Sequence, residues 1–211
     1  MLPDLGDSLS TVRLALSGAA PLPPAVLTAV LEASGHHIFE GYGLTETAPV
    51  LTTTLCSEAA KPASVGRPVP GVELRIALDG DVNVAIDADD DEIDEDPGEV
   101  VVRGPNLFSG YWPDGSGGPD EDGWFHTGDI GYLDSEGDLF LVDRARDLII
   151  VSGFNVYPRE VEEALIRHPD VAEVAAIGVP HPYTGETVKV LVVPRAGSSP
   201  SADALIDYAA S

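Results

Sequence analysis

Short apolar runs separated by Gly, Pro and Asp turns fill the chain from about residue 65 to residue 142. This alternation limits the possible folds more than any other feature. The runs are VELRIAL, GEVVVRG, GDIGYLD and GDLFLVD. Runs of this length, rich in Val, Ile and Leu and bounded by turn residues, are typical of β-strands. The sequence therefore predicts a small all-β unit in this region.

The segment before this β unit predicts alternating strands and helices. We expect a short strand at residues 12–16 and another strand at residues 37–42. Between them, Pro23 and Pro24 can open a helix that ends at Gly35, because proline suits the first helical turn and glycine the position after the last. This order of elements is typical of an α/β fold.

The segment after the β unit predicts a second domain. Two short strands are expected within residues 148–158, followed by a helix at residues 158–168 with Val161, Leu165 and His168 on one side. Two further strands and the beginning of a last helix complete the pattern. We therefore place a domain boundary near residues 143–147, with a small α+β domain beyond it.

Composition excludes several classes of function. The 11 basic and 36 acidic residues give a net charge of −25, which argues against nucleic acid or an anionic membrane as a main partner. The single cysteine, Cys56, excludes an internal disulfide and a cysteine-rich metal site. No apolar stretch is long enough for a membrane span, and no secretory signal precedes the first strand. A cytoplasmic protein that acts on small molecules is expected.

An acidic stretch at residues 79–99 holds 11 Asp or Glu residues and no Lys or Arg. We expect a solvated, mobile hairpin loop. A calcium-binding loop is the alternative, but DADDDEIDEDPG lacks the glycine that such a loop needs at its sixth position.

The tract GYGLTETAPV at residues 41–50 carries groups that suit a nucleotide. Tyr42, between two glycines that let the backbone bend, can offer its aromatic face to a purine. Thr45 offers a hydroxyl and a backbone N–H to a phosphate, and Glu46 a hard oxygen ligand to Mg²⁺. A strand end with Thr45 as a helix cap is the ordinary alternative.

Two further polar residues lie in the tract from Gly123 to Glu163. Asp129, on a glycine-flanked turn, could accept hydrogen bonds from both hydroxyls of a ribose, or be a simple turn aspartate. Arg144, at a strand end, could reach ribose or phosphate oxygens, or form a surface ion pair with Asp143 or Asp147.

Taken together, these motifs resemble the adenylate-forming superfamily, which includes acyl-CoA synthetases, peptide-synthetase adenylation domains and luciferases. SGAAPL, GYGLTET, GEVVVRGPNLFSGYW, WFHTGDIGYLDSEGDLFLVDR, SGFNVYPREVEEAL and HPDVAEVAAIGVPHPYTGE follow one another in the family's order, from Arg13 to about Val193. The resemblance implies an α/β fold combined with an α+β part. Residues 1–143 would be the C-terminal part of the large AMP-binding domain, including a small distorted β-barrel at about 65–142. Residues 144–147 would be a hinge, and residues 148–211 a truncated small C-terminal domain.

The resemblance also implies a role for each matching residue. Thr45 would contact the α-phosphate of ATP, and Glu46 would bind Mg²⁺. The remaining implied positions concern the nucleotide, coenzyme A and domain movement. They are the backbone at Gly18, Ala19 and Ala20 lining the adenine, Tyr42 with Gly43 stacking on it, Asp129 holding the ribose, Arg144 touching the ribose or phosphate, Gly153 beside pantetheine, and Arg146 as the hinge.

The implied activity is an ATP-dependent acid–thiol ligation in two steps. A carboxylate attacks the α-phosphate of ATP to give acyl-AMP, and the thiol of coenzyme A then displaces AMP. The segment SGFNVYPREVE favours an acyl-CoA ligase over a peptide-synthetase adenylation domain. Fatty and aryl acids both stay open as substrates, and the resemblance to long-chain fatty-acid ligases is the best single guide. A luciferase-type oxygenase is less favoured. A non-catalytic nucleotide-binding fragment is the alternative from another class.

The sequence departs from the family pattern in two places. No Ser/Thr/Gly-rich phosphate loop occurs in it, and neither of its two lysines, Lys61 and Lys189, lies in the late Gly-Lys segment that the family uses during adenylation. We therefore expect an incomplete chain that is inactive alone and whose partner is a missing N-terminal half.

Overall fold

The structure, a computed structural model, describes residues 5–20, 22–57, 60–78, 81–87 and 97–209, the range 81–87 by its backbone alone. The chain divides into two compact units, residues 1–141 and residues 142–211. Among the described residues, no helix has the length and apolar character that crossing a bilayer would require.

The first unit begins with alternating helices and strands, which include the predicted strand–helix–strand order. These are α1 (Leu5–Leu9), β1 (Ala15–Ser17), α2 (Pro24–Ser34), β2 (Ile38–Tyr42) and β3 (Thr52–Thr53). Helix α2 begins at Pro24, and the residue after it, Gly35, has a φ of +70° and donates its N–H to the carbonyl of Leu31. This left-handed cap is the conformation that glycine adopts without steric cost. The two prolines and the glycine therefore set the helix ends.

The rest of the first unit is the predicted β region. Nine strands form one sheet in the order β1-β2-β3-β4-β9-β8-β7-β5-β6, in which β1 and β2 are parallel. Its core includes the fully buried side chains of Ile76, Val100, Leu133 and Leu139. The added strands are β4 (Ser64–Pro68), β5 (Glu73–Leu78), β6 (Asp81–Asp87), β7 (Gly98–Arg103), β8 (Phe125–Leu133) and β9 (Leu139–Arg144).

The acidic stretch is only partly a loop. Its first half contains strand β6, which pairs antiparallel with β5 through Arg75↔Asp87 and Ile76↔Ile86. The prediction of a loop over all of 79–99 was therefore wrong, because backbone pairing with a core strand outweighs the acidic composition. Residues 79–80 and 88–96 lie outside the described residues, so the choice between a solvated loop and a calcium loop stays a prediction there.

The second unit pairs a small antiparallel sheet with two helices. Its strand order is β11-β10-β13-β12, and its core includes Ile149, Leu165 and Val171. The predicted helix after Pro158 ends at Leu165, so His168 is not on it as expected; its N–H instead bonds to the Leu165 carbonyl in the turn that follows. The elements are β10 (Ile149–Val151), β11 (Phe154–Val156), α3 (Pro158–Leu165), β12 (Val171–His181), β13 (Gly185–Pro194) and α4 (Ala202–Ala209).

Candidate functional site

The first part of the candidate site lies where parallel strands β1 and β2 end. Residues after parallel neighbours meet at the same sheet edge, and Ser17 of β1 is in register with Glu40 of β2. A Cβ added to Gly18 would lie 3.3 Å from the carbonyl oxygen of Gly41. Ala19 has a φ of +69°, a left-handed conformation that costs a non-glycine residue about 1–2 kcal/mol. Gly18 therefore lies against Gly41 of the GYG segment, and the exposed Ala19 and Ala20 follow it in the chain.

The loop after β2 is tightly folded. Gly43 cannot carry a side chain, because a Cβ there would lie 1.8 Å from the carbonyl oxygen of Pro49. Thr45–Thr47 form a single 3₁₀ turn that begins after Leu44. The buried hydroxyl of Thr47, not that of Thr45, accepts the Leu44 N–H at 2.9 Å. The alternative role of Thr45 as a helix cap was therefore wrong, and Thr45 is exposed on the turn.

A second segment, residues 106–111, forms hydrogen bonds to this loop. The Phe108 N–H donates to the Glu46 carbonyl at 2.8 Å. The side-chain amide of Asn106 donates to the carbonyls of Thr47 at 2.7 Å and Val50 at 3.2 Å. The phenol of Tyr111 donates to Oε1 of Glu46, and this hydrogen bond is the main cause that raises the pKa of Tyr111. The Glu46 turn is thus fixed through both its backbone and its side chain.

Asp129 lies in a bulge of strand β8. Glu99 pairs with Ile130 and Val101 with His126, so one residue of β7 faces three residues of β8 between these pairs. Gly128 has a φ of +73°, which glycine adopts readily. Bulges re-aim side chains and are common beside functional sites.

Three hydrogen bonds hold the bulge in shape. The Thr127 hydroxyl donates to the Val100 carbonyl at 2.7 Å and accepts the Asp129 N–H at 3.1 Å. The Gly128 N–H donates to Oε1 of Glu99 at 3.0 Å, while Oε2 of Glu99 lies 2.8 Å from Nδ1 of His126. His126 is thus a surface partner of Glu99.

The bulge brings Asp129 to Tyr42. The Tyr42 phenol donates to Oδ2 of Asp129 at 2.6 Å, although the two residues are 87 positions apart. Asp129 is 6% exposed, and the Tyr42 ring packs partly against the sheet core. Hydrogen bonds to an ionised carboxylate are short and strong. An aromatic ring and a buried carboxylate are therefore held side by side at this edge of the sheet.

The second unit carries the remaining predicted residues. The Asp143 carboxylate accepts the Arg144 N–H at 2.8 Å and the Arg159 N–H at 3.1 Å. Because Arg159 is in the first turn of α3, Asp143 caps that helix from outside it. The exposed Arg146 has its Nε 3.6 Å from Oδ1 of Asp147. Exposed pairs of this kind contribute little to stability.

Gly153 forms the turn between β10 and β11. Val151 pairs with Phe154, and the two residues between them, Ser152 and Gly153, have φ values of +53° and +86°. Two positive φ values are the signature of a type I′ hairpin. A Cβ on Gly153 would meet nothing within 4 Å. The turn alone is therefore sufficient reason for a glycine here.

A cleft of about 460 Å³ also lies within the second unit. Two of its carboxylates have structural partners, since Glu162 accepts the Ala176 N–H and Glu186 accepts the Ile150 N–H, each at 2.9 Å. Its lining also includes Arg146 and Arg159. The cleft lies between helix α3 and the sheet, and three of its carboxylates, those of Asp143, Glu162 and Glu186, already accept backbone N–H groups.

Glu46 suits a magnesium ion that arrives with a nucleotide. Among the described residues, no three or more His, Cys, Asp or Glu side chains form a group that could hold a metal. Mg²⁺ is commonly bound by one or two carboxylates together with substrate phosphates. A single half-buried carboxylate on a rigid turn fits that requirement.

Sequence reasoning missed the residues that support the site. Glu99 was hidden in the acidic stretch, and Thr127 lies in the motif WFHTGDIGYLDSEGDLFLVDR, of whose first half only Asp129 was given a role. Asn106 and Tyr111 belong to GEVVVRGPNLFSGYW, which contributed to the resemblance without an assigned role. The position of that tract between the GYGLTET and WFHTGDIGYLDSEGDLFLVDR motifs was the only indication that it contacts the site.

Comparison with known proteins agrees with these features. The family described as AMP-binding enzyme matches residues 3–112, and AMP-binding enzyme C-terminal domain matches residues 160–211. A long-chain-fatty-acid–CoA ligase of Escherichia coli O157:H7 is 42% identical over 189 residues, which are 88% of this chain and 32% of the relative. A 2-succinylbenzoate–CoA ligase of Geobacillus kaustophilus is 40% identical over 97% of this chain and 41% of the relative.

A solved structure gives the same result. The crystal structure of ATP-bound MatB from Rhodopseudomonas palustris superposes with a TM-score of 0.80 at 34% identity, covering 96% of this chain and 39% of that one. The chain thus spans between about a third and two fifths of the length of these proteins. With a family match over more than half of its residues and relatives that align along most of it, the chain belongs to the family of AMP-binding, adenylate-forming enzymes.

Proposed function

We propose that this chain is the nucleotide-handling part of an ATP-dependent acid–thiol ligase, which forms an acyl-adenylate and then an acyl-CoA. The observation that carries the proposal is the 2.6 Å contact between Tyr42 and Asp129. It joins an aromatic ring and a buried carboxylate from two separate motifs, and these are the two groups that recognise adenine and ribose in the proposed site. A cytoplasmic location is part of the proposal.

The adenosine would lie at the edge formed by β1 and β2. The exposed backbone of Gly18, Ala19 and Ala20 offers carbonyl and N–H groups to the adenine edge, and Tyr42 offers its ring face, which the tight bend at Gly43 supports. The Asp129 carboxylate accepts hydrogen bonds from the ribose hydroxyls. Its bond from Tyr42 and its burial keep it in one orientation before the ligand arrives.

The phosphates would lie beside the 3₁₀ turn. Thr45 would donate its hydroxyl to the α-phosphate, and Glu46 would hold the Mg²⁺ that arrives with the nucleotide. When bound there, the ion would supply positive charge next to the phosphate. The turn is held by Asn106 and Phe108, so these groups act by position and electrostatics, and no protein nucleophile is required.

The second unit would supply the thiol-transfer half of the cycle. Arg144 contacts the ribose or phosphate, Arg146 is the hinge position, and pantetheine passes the open backbone at Gly153, where a side chain would meet no protein atom within 4 Å. In the first step the substrate carboxylate bonds to the α-phosphorus and pyrophosphate leaves. In the second step the coenzyme A sulfur bonds to the acyl carbon, and AMP leaves with the electron pair of the broken bond.

A fatty acid is the substrate class that we favour, because the relative with 42% identity is named as a long-chain-fatty-acid–CoA ligase. An aryl acid is the second candidate, since a 2-succinylbenzoate–CoA ligase is nearly as similar and aligns over more of the chain. A peptide-synthetase adenylation domain is less favoured, on the SGFNVYPREVE segment.

The proposal is tested by calorimetric binding of AMP to the 211-residue chain. Asp129→Ala should weaken AMP binding at least about 10-fold, because two hydrogen bonds to a charged acceptor are lost. Asp207→Ala, at an exposed position of α4, removes the same charge and should leave binding unchanged. Equal AMP affinity of all three proteins would refute the site.

Pyrophosphate exchange with a panel of fatty and aryl acids separates an enzyme from a nucleotide-binding fragment. We expect AMP binding without exchange, because these 211 residues contain neither the family's phosphate loop nor its late lysine. Exchange above a no-protein blank would contradict this expectation and establish that the chain is catalytic alone.

A further inference from the structure

We propose that Tyr111 is a positioning residue that orients the Glu46 carboxylate toward the metal of a bound nucleotide. This inference rests on the function proposed above. It starts from the hydrogen bond that the Tyr111 phenol donates to Oε1 of Glu46, which joins positions 65 residues apart.

The backbone of Tyr111 is held in a tight turn. Its N–H donates to the carbonyl of Ser116 and its carbonyl accepts the N–H of Gly115, both at 2.8 Å. Gly110 has a φ of +119°, and a Cβ there would lie 2.0 Å from the carbonyl oxygen of Gly115. Only glycine permits this close approach, so the turn fixes where the Tyr111 side chain starts.

The ring of Tyr111 is connected to the core by aromatic contacts. It packs edge-to-face on Phe108 with 5.0 Å between ring centroids, and Phe108 packs edge-to-face on Phe125 at 5.4 Å. Phe125 is 8% exposed and belongs to the sheet core. Edge-to-face pairs at these separations are favourable. Although Tyr111 is half exposed, these ring contacts thus fix the position of its phenol relative to the sheet core.

Phe108 supports both partners of the hydrogen bond. Its ring contacts Tyr111, and its N–H donates to the Glu46 carbonyl at 2.8 Å. A glutamate side chain has several rotatable bonds, and fixing them when a metal binds costs conformational entropy. The phenol fixes them beforehand by holding one carboxylate oxygen. Outer partners that orient a metal ligand typically contribute 10–100-fold to metal affinity.

The test measures how strongly Mg²⁺ assists nucleotide binding. Calorimetry with α,β-methylene-ATP, with Mg²⁺ and then with EDTA, gives a ratio of dissociation constants for each variant. Tyr111→Phe keeps the ring contacts and removes only the hydroxyl. It should reduce this ratio about 10-fold and leave the affinity in EDTA unchanged. Tyr183→Phe, at a tyrosine that is 92% exposed in the second unit, is the matched control and should change neither value.

A double-mutant cycle links the effect to Glu46. In a Glu46→Gln background, Tyr111→Phe should cause no further loss of the magnesium effect, because the two residues act as one unit. An unchanged or increased ratio in Tyr111→Phe would overturn the inference, the increase because it would make the phenol a competitor of the metal. Loss of affinity in EDTA as well would also overturn it, because the role would then be structural.

The two proposals fail separately. If the unmodified chain binds the analogue and loses it in Asp129→Ala, but Mg²⁺ has no effect on binding, the proposed function stands and the role of Tyr111 is wrong. If the chain binds no nucleotide, both are wrong.

Discussion

A cluster of charges at the β8–β9 turn gives a sharp test of how the first unit is stabilised. Nζ of Lys61 lies 2.5 Å from Asp134, 2.9 Å from Glu136 and 3.3 Å from Asp138. Asp138 is 1% exposed, and its Oδ2 accepts no hydrogen bond among the described residues. Arg67 is the second cation near that oxygen, with its Nε at 3.6 Å. Lys61 is therefore the main compensation for three neighbouring carboxylates.

Replacing Lys61 by Met keeps the length of the side chain and removes its charge. Breaking a buried ion pair costs about 3–5 kcal/mol, while an exposed pair is worth about 0–1 kcal/mol. Lys61 is 25% exposed and Arg67 remains, so the cost falls between these limits. We expect the free energy of unfolding to fall by about 2 kcal/mol, which shifts the urea midpoint by about 1 M.

Tryptophan fluorescence during urea unfolding measures this change in the first unit alone. The only tryptophans are Trp112 and Trp124, both in that unit, and Trp124 is 5% exposed. Lys189→Met changes the other lysine of the chain, which is exposed on β13, and should alter stability by less than about 0.5 kcal/mol. If the urea midpoint of Lys61→Met equals that of the unmodified protein, the reasoning is refuted.

The pH dependence of the stability difference between the unmodified protein and Lys61→Met is a second check. Burial opposes the charge of Lys61, but its contacts with the three carboxylates, above all the hydrogen bond to Asp134, raise its pKa above the ordinary value. Burial would likewise raise the pKa of Asp134, but hydrogen bonds from Lys61 and from two backbone N–H groups hold it below its usual range. The Lys61 contribution is therefore complete below about pH 10 and the Asp134 contribution above about pH 4. The stability gap should stay constant between these limits and shrink as the pH falls below about 4.

Two further predictions concern the second unit. Asp143→Ala removes the acceptor for the Arg144 and Arg159 N–H groups. Hydrogen exchange at the Arg159 amide should accelerate, and the free energy of unfolding of the unit should fall by about 1 kcal/mol, with a smaller fall for Asp143→Asn. Unchanged exchange would exclude the capping role of Asp143. Gly153→Ala should cost about 1–2 kcal/mol because of the positive φ, whereas Gly153→Asn should cost less; equal melting temperatures of the two variants would argue against the turn geometry as the reason for glycine.

Local elements followed from local sequence. Pro24 and Gly35 mark the ends of α2, and the short Val- and Ile-rich runs became strands β5, β7, β8 and β9. These patterns depend on residues a few positions apart, so no tertiary information is needed to interpret them. Strand β6 was missed because pairing with β5 decides its conformation and its own composition favours a loop.

The candidate site depends on local sequence motifs and on long-range tertiary contacts. Its motifs, with Tyr42, Glu46 and Asp129, could be recognised from the order of residues, since Gly and polar residues at fixed spacing mark functional turns. The contacts between these residues could not be predicted in this way. Tyr111 reaches Glu46 across 65 positions, and Lys61 reaches Asp134 across 73.

The sequence by itself therefore determined the family, three of the four described helices and most strands, and it proposed which side chains carry nucleotide chemistry. Only the tertiary structure decided which of them touch. Asp129 meets Tyr42 because a bulge between the Glu99 and Val101 pairs re-aims one stretch of β8. Register and bulges in a sheet depend on long-range strand pairing, and a shift of one residue would turn a side chain to the opposite face.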